Sequence, residues 1–179
     1  SGEYYLIVGR LIPDNNADLL VEGFLKAHSS KKLVIVGDVP YKDNYAQSLK
    51  EKAAINVIFL GYVINSEILA ELYHHCFAYL HGHEFGGTNP TMLKAMAYGS
   101  AILALDTRFN QEMLSNGRFG LFFEKNSQSI AKLMQEVEHQ ESLLSNLRNI
   151  ARNGLTAKYN WDHITDAYIA LLNELVAGK

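Results

Sequence analysis

Cys76-Phe77-Ala78-Tyr79-Leu80, then His81-Gly82-His83-Glu84-Phe85-Gly86-Gly87-Thr88-Asn89-Pro90, then Met92-Leu93-Lys94-Ala95-Met96-Ala97: this stretch reads as a strand, a loop with paired glycines and a buried helix. The strand is short and apolar at successive positions, as a strand covered on both faces should be. Asn89 is a good helix cap, and Pro90 suits the first helical position because it has no N–H to lose. Gly86-Gly87 immediately upstream lets backbone amides converge on an anion at the helix N-terminus. One strand, one glycine loop and one capped helix make a phosphate cradle.

The same form recurs on either side. Tyr4 to Val8, stopped by Gly9, Leu33 to Val36, stopped by Gly37, Val57 to Leu60, stopped by Gly61, and Ala101 to Leu105 are further apolar runs, giving five strands in all. Helical patterns alternate with them: Leu19, Leu20, Phe24 and Ala27 share one face, and Ile68, Leu69, Leu72 and Tyr73 another. Strands alternating with helices predict an α/β, doubly wound parallel sheet with helices on both faces and the first strand central. Beyond it, Ile130, Leu133, Met134 and Val137 mark a helix between Asn126 and Arg152. Ile164, Ala167, Tyr168, Leu171, Leu172 and Leu175 mark a last amphipathic one after Asn160-Trp161-Asp162. No linker or repeat divides residues 1–179, so one domain is expected.

Composition narrows the class. The chain has 179 residues, 48% of them hydrophobic, and a net charge of -3. That apolar content excludes a disordered chain. Sixteen Lys and Arg against nineteen Asp and Glu leave no electrostatic footprint for nucleic acid. A single cysteine, Cys76, excludes a disulfide framework. No run approaches the ~18 apolar residues of a membrane span, and no signal peptide opens the chain, so a cytoplasmic location is expected. The start, Ser1-Gly2 without Met, reads as trimmed, and the natural protein is expected to be longer.

In an open parallel sheet, ligands bind beyond the carboxyl ends of the strands. That selects Gly9-Arg10, Gly37-Asp38, Gly61-Tyr62, His81 to Asn89 and Asp106-Thr107-Arg108. Arg10 ends the central strand, where its guanidinium could grip phosphate oxygens in pairs; pairing with a carboxylate such as Asp14 is the plain structural alternative. There is no G-x-G-x-x-G after the first strand and no G-x-x-x-x-G-K-[ST], which argues against a nicotinamide dehydrogenase and a P-loop nucleotidase. Nor is there a D-x-D to hold a metal against a diphosphate, so cationic side chains and amides would have to stabilise it. His81 and His83 form a possible metal pair with no third ligand in view, and a capping or loop role is the plain alternative. His74-His75 suit a helix C-terminus. Cys76, Tyr4, Tyr5, Phe59, Tyr79 and Trp161 read as core. Asp106 could serve a helix N-terminus, and Glu112 is a weaker site candidate.

Gly9-Arg10-Leu11, Leu33 to Gly37, Val57 to Gly61, Phe85 to Pro90 and Lys94-Ala95-Met96-Ala97-Tyr98-Gly99 stand in an order that resembles the C-terminal, donor-binding domain of GT-B glycosyltransferases, group 1, family 4. The Gly-Gly-Thr-Asn-Pro form is similar to the bacterial rhamnosyl- and mannosyltransferase branch, which builds surface polysaccharides. The resemblance spans nearly the whole chain and implies a Rossmann-like domain, the C-terminal half of a GT-B fold, fed by a UDP-, GDP- or dTDP-linked sugar. It implies a retaining hexosyltransferase without a metal or other cofactor. Arg10 would bind the diphosphate as a catalytic residue, and amides of Gly87, Thr88 and Asn89 would cradle its distal phosphate. The loops at Gly37-Asp38 and Val57 to Gly61 would flank the base. The acceptor, a glycan or a lipid-linked glycan, would sit on an N-terminal domain that is missing here, as would any peripheral contact with the inner face of the membrane. The domain alone would bind donor without turnover.

Three positions depart from that family. A Lys is usual some five residues after the Arg, where Asp14-Asn15-Asn16 stands. Of the family's two glutamates, which have seven residues between them, the second falls on Lys94, which can only donate. The first falls on Gly86 by strict count, or on Glu84 if the loop is longer; Glu84 is then the carboxylate that touches sugar hydroxyls. Lys94 either binds phosphate or weakens a ribose site. These departures keep a non-catalytic nucleotide-sugar-binding domain open, and a sugar-nucleotide epimerase of the same architecture stands as a third reading.

Overall fold

A computed structural model describes residues 2–39, 43–52 and 54–178. In chain order they form β1 (Tyr4–Val8), α1 (Ala17–Ala27), β2 (Lys32–Val36), α2 (Asn44–Lys52), β3 (Val57–Gly61), α3 (Ser66–His75), β4 (Ala78–His81) and α4 (Pro90–Ala97). Then follow β5 (Ile102–Leu105), α5 (Arg108–Met113), β6 (Leu121–Phe123), α6 (Ser127–Glu138), α7 (Glu141–Lys158) and α8 (Trp161–Ala177). All strand pairings are parallel, in the order β3-β2-β1-β4-β5-β6. The doubly wound α/β, Rossmann-like sheet is therefore as expected, with β1 inside it. It has one strand more than the five expected: β6 is only three residues, Leu121-Phe122-Phe123, too short to show a period.

Alternate residues of each strand serve opposite faces, because successive side chains in a strand point to opposite sides. Tyr5, Ile7, Leu33, Ile35, Leu80, Leu103 and Leu105 pack with Leu20 and Phe24 of α1, Leu49 of α2 and Ile130 and Met134 of α6. Leu6, Val8, Val34, Val36, Tyr79, Ile102 and Ala104 pack with Tyr73 of α3, Met92 and Met96 of α4 and Met113 of α5. Each large apolar side chain fully withdrawn from water in these layers contributes about 1.5–3 kcal/mol.

Tyr5, Tyr79 and Cys76 lie in the core as expected, and Tyr4 and Phe59 pack at its margin. Trp161 does not: it stands 83% exposed at the start of α8. Ile68 of α3 is likewise exposed. The apolar stripe expected on the last helix is present, yet no residue of α8 is buried among the described residues. Sequence periodicity reports that a helix has an apolar side; it does not supply the surface that side meets.

Candidate functional site

At β1/β4 the strand order reverses, since β1 leads outward to β2 and β3 while β4 leads the other way. Loops diverging there leave a crevice at the carboxyl ends of the strands. It holds a cavity of about 490 Å³, lined from β1 by Val8, Gly9 and Arg10, from β2 by Val36 and Gly37, and from α4 by Asn89, Pro90 and Thr91. Tyr62, His83 and Phe85 close it from the loops after β3 and β4.

Two loops build its floor. After Arg10 the chain makes a 3-10 turn, Pro13–Asn15, before α1. Asn15 Nδ2 donates to the Arg10 carbonyl at 2.7 Å, and buried Asn16 donates to the Gly82 carbonyl at 2.8 Å. The Glu84 N–H donates to the Asp14 carbonyl at 3.0 Å. Where the resembling family carries a lysine, Asn15 braces the β1 loop from within and Asn16 ties it to the β4 loop. Gly37 is fixed by sterics: its φ is +120°, and a β-carbon would stand 2.0 Å from the Gly9 carbonyl oxygen. Only glycine lets β1 and β2 end side by side at the cavity.

His81 is the last residue of β4 and fully buried; His83 lies on the same side of the chain, and the two rings stack at 4.5 Å and 9°. His83 rests against Gly9 and lines the cavity. Burial, and then the nearby Arg10 charge, lower its pKa to about 4; burial, and then His83, push His81 well below the usual histidine range. Both are neutral at pH 7, so the cavity's fixed positive charge comes from Arg10 and the N-terminal end of α4. No third His, Cys, Asp or Glu joins this pair among the described residues.

The sequence-level candidates divide into two groups. Arg10, Gly37 and Asn89 line the cavity. Gly86, Gly87 and Thr88 are exposed on the loop just before α4, and a β-carbon on either glycine would meet nothing within 4 Å. Asp38 is turned away: Lys50 at 2.7 Å holds its carboxyl below the usual range, and its other oxygen accepts from the Val39 N–H. Glu84 is held by Lys125 at 2.5 Å, which likewise lowers its pKa. Lys94 is exposed on α4, outside the lining. Asp106 accepts from Gln111, and Thr107 rather than Asp106 caps α5; Glu112 pairs with Lys158 at 2.6 Å. His74 bonds the Tyr98 carbonyl and His75 pairs with Glu71 at the end of α3.

The strand-end rule selected Tyr62 and the stretch that holds Phe85, but sequence reading did not single out Phe85, Asn15 or Thr91 as lining residues. Phe85 could have been found, because a large aromatic beside paired glycines in a loop has no core to enter; it is 66% exposed. Asn15 and Thr91 could not, since only the meeting of distant loops gives them a place.

A sequence model of the family described as glycosyl transferases group 1 matches residues 1–154, and the chain belongs to that family. Alpha-monoglucosyldiacylglycerol synthase of Acholeplasma laidlawii is 26% identical over 144 residues, covering 77% of this chain and 35% of that protein. N-acetylgalactosamine-N,N'-diacetylbacillosaminyl-diphospho-undecaprenol 4-alpha-N-acetylgalactosaminyltransferase of Campylobacter jejuni is 25% identical over 154 residues, covering 84% and 41%. The chain thus spans well under half the length of these curated relatives. Among solved structures, the C-terminal domain of a glycosyl transferase group 1 family protein (LpcC) from Francisella tularensis matches at a TM-score of 0.76 and 20% identity, covering 89% of this chain and 88% of that one. Anabaena Alr3699/HepE in complex with UDP-glucose matches at 0.82 and 17%, covering 97% and 49%. The fold is that of the C-terminal half of GT-B glycosyltransferases.

Proposed function

We propose that this chain is the nucleotide-sugar-binding domain of a retaining, metal-independent glycosyltransferase of the family 4 type. The observation that carries the reading is the cavity at the β1/β4 reversal, where Arg10 and the N-terminal end of α4 face one space. Cation and helix dipole together suit a diphosphate, and they would stabilise the charge that develops on it as the sugar leaves. The group 1 family match supports transferase chemistry, and the Anabaena structure shows a related fold holding UDP-glucose. Retention, independence of metal and a rhamnose or mannose donor rest on the family 4 resemblance and the Gly86-Gly87-Thr88-Asn89-Pro90 loop. An N-terminal domain would supply the acceptor, a glycan or lipid-linked glycan of a surface polysaccharide, at the cytoplasmic face of the membrane. The domain alone would bind donor and not transfer it.

Calorimetry with UDP-glucose, GDP-mannose and dTDP-rhamnose tests this. Arg10→Ala should weaken the preferred donor by ~1.5–3 kcal/mol, the range of a charged hydrogen bond, with added chelator making no difference. Equal affinity in wild type and variant would take Arg10 out of the site, and a UDP-sugar preference would remove the rhamnosyl or mannosyl branch. One observation favours a second reading, a non-catalytic binding domain: Lys94 stands exposed on α4 where the resembling family carries a glutamate. Lys94→Glu should tighten donor binding if the lysine is a lesion in a ribose site, and weaken it if the lysine binds phosphate.

A further inference from the structure

The N-terminus of α4 carries more hydrogen bonding than a helix cap needs, and donor and acceptor can be assigned atom by atom. The Thr91 N–H meets the Asn89 side chain at 3.0 Å. A backbone amide only donates, so the atom it meets is Oδ1. The Thr91 hydroxyl lies 2.7 Å from the same oxygen and gives its one proton there. With that proton engaged, Thr91 Oγ1 accepts from the Tyr79 hydroxyl at 2.9 Å. Tyr79, having donated, accepts from Nδ1 of His81 at 3.0 Å, so Nδ1 carries the hydrogen. In the neutral ring Nε2 is then a bare lone pair, and Nε2 is the His81 atom that is buried without a partner among the described residues. The run goes one way, from His81 through Tyr79 and Thr91 to Asn89.

The run ends on an amide at the cavity. Oδ1 of Asn89 accepts twice, so the side chain cannot flip, and its Nδ2 has no partner among the described residues. The backbone N–H of Asn89 is already turned to the sulfur of Met113 at 3.2 Å. Of its two amides, the side-chain one is available. Tyr79 is wholly buried and does not line the cavity, whereas Asn89 does. We infer that Tyr79 and Thr91 are positioning residues: their one-way hydrogen bonds hold Oδ1 of Asn89 inward and present Nδ2 as a donor to a phosphate oxygen of the bound nucleoside diphosphate. This rests on the donor-site reading above. It assigns work to a buried tyrosine and to a side chain where backbone amides alone were expected.

The test has one part without ligand and one with. Nitrogen-15 spectra of the free chain should show His81 as the neutral Nδ1–H tautomer, and Tyr79→Phe, which removes its acceptor, should shift it toward Nε2–H. Titrations with UDP, GDP and dTDP should show Tyr79→Phe and Thr91→Val binding the preferred nucleotide about tenfold more weakly, with Thr91→Ser close to wild type, because serine keeps the hydroxyl. The Thr91 pair decides the matter should Tyr79→Phe not fold. Wild-type His81 in the Nε2–H form, or Thr91→Val binding as tightly as wild type, overturns the inference while the donor site stands. A wild type that binds none of the three nucleotides overturns both.

Discussion

A β-carbon on Gly37 would press on the Gly9 carbonyl in a backbone conformation few side chains adopt, while one on Gly87 would point into open space. The two glycines should therefore respond oppositely to substitution. Gly37→Ala should lower stability by at least about 2 kcal/mol in denaturant titration, since strand ends must part or the backbone must rotate. Gly87→Val should melt with wild type, yet its bulk at the mouth of α4 should abolish nucleotide binding if the loop closes on the diphosphate. Sequence could mark both glycines as strand-end or loop residues. It could not tell that one is locked by a neighbouring strand and the other free, because that difference is a contact between residues 28 positions apart.

At the level of elements, β4 with its following loop carries two histidines that folding keeps neutral. An unfolded imidazole takes its proton near pH 6.5, whereas His83 in the fold stays neutral down to about pH 4. Below pH 6.5 the unfolded chain thus binds more protons, and stability falls with pH by up to about 1.4 kcal/mol per unit for each such histidine. Between pH 7 and 5, denaturant titration should show that loss, and His83→Gln should reduce it by about 2 kcal/mol; an unchanged slope would contradict the assignment. The carboxylates lowered by Lys125 and Lys158, Glu84 and Glu112, titrate below this window and do not confuse it. The strand and helix alternation was legible because buried parallel strands are apolar throughout. What escaped was β6, and with it Lys125, whose grip on Glu84 depends on a strand too short to announce itself.

Across the whole molecule, the sheet and both its covering layers are complete without α8. A chain ended at Tyr159 should keep its melting temperature and its nucleotide affinity, since the deleted helix contributes no buried residue. A drop of many degrees would mean that α8 folds back in solution. The family order of motifs made the architecture readable, yet the cavity came from strand order, a property no local stretch contains: β1 and β4 are neighbours although some seventy residues lie between them. That adjacency has a consequence for how the chain is made. During synthesis, β1, β2 and β3 emerge in sequence and can pair, but the other edge of β1 must wait for β4. At roughly 5–20 residues per second, the ribosome leaves that edge uncovered for about 4–15 s. For those seconds a nascent chain shows an apolar strand with unpaired amides and carbonyls, open to a neighbouring nascent copy. A translational pause while β4 is still inside the ribosome should therefore raise the aggregated fraction, and one placed late enough that residue 123 has left the ribosome and the sheet can be whole should not.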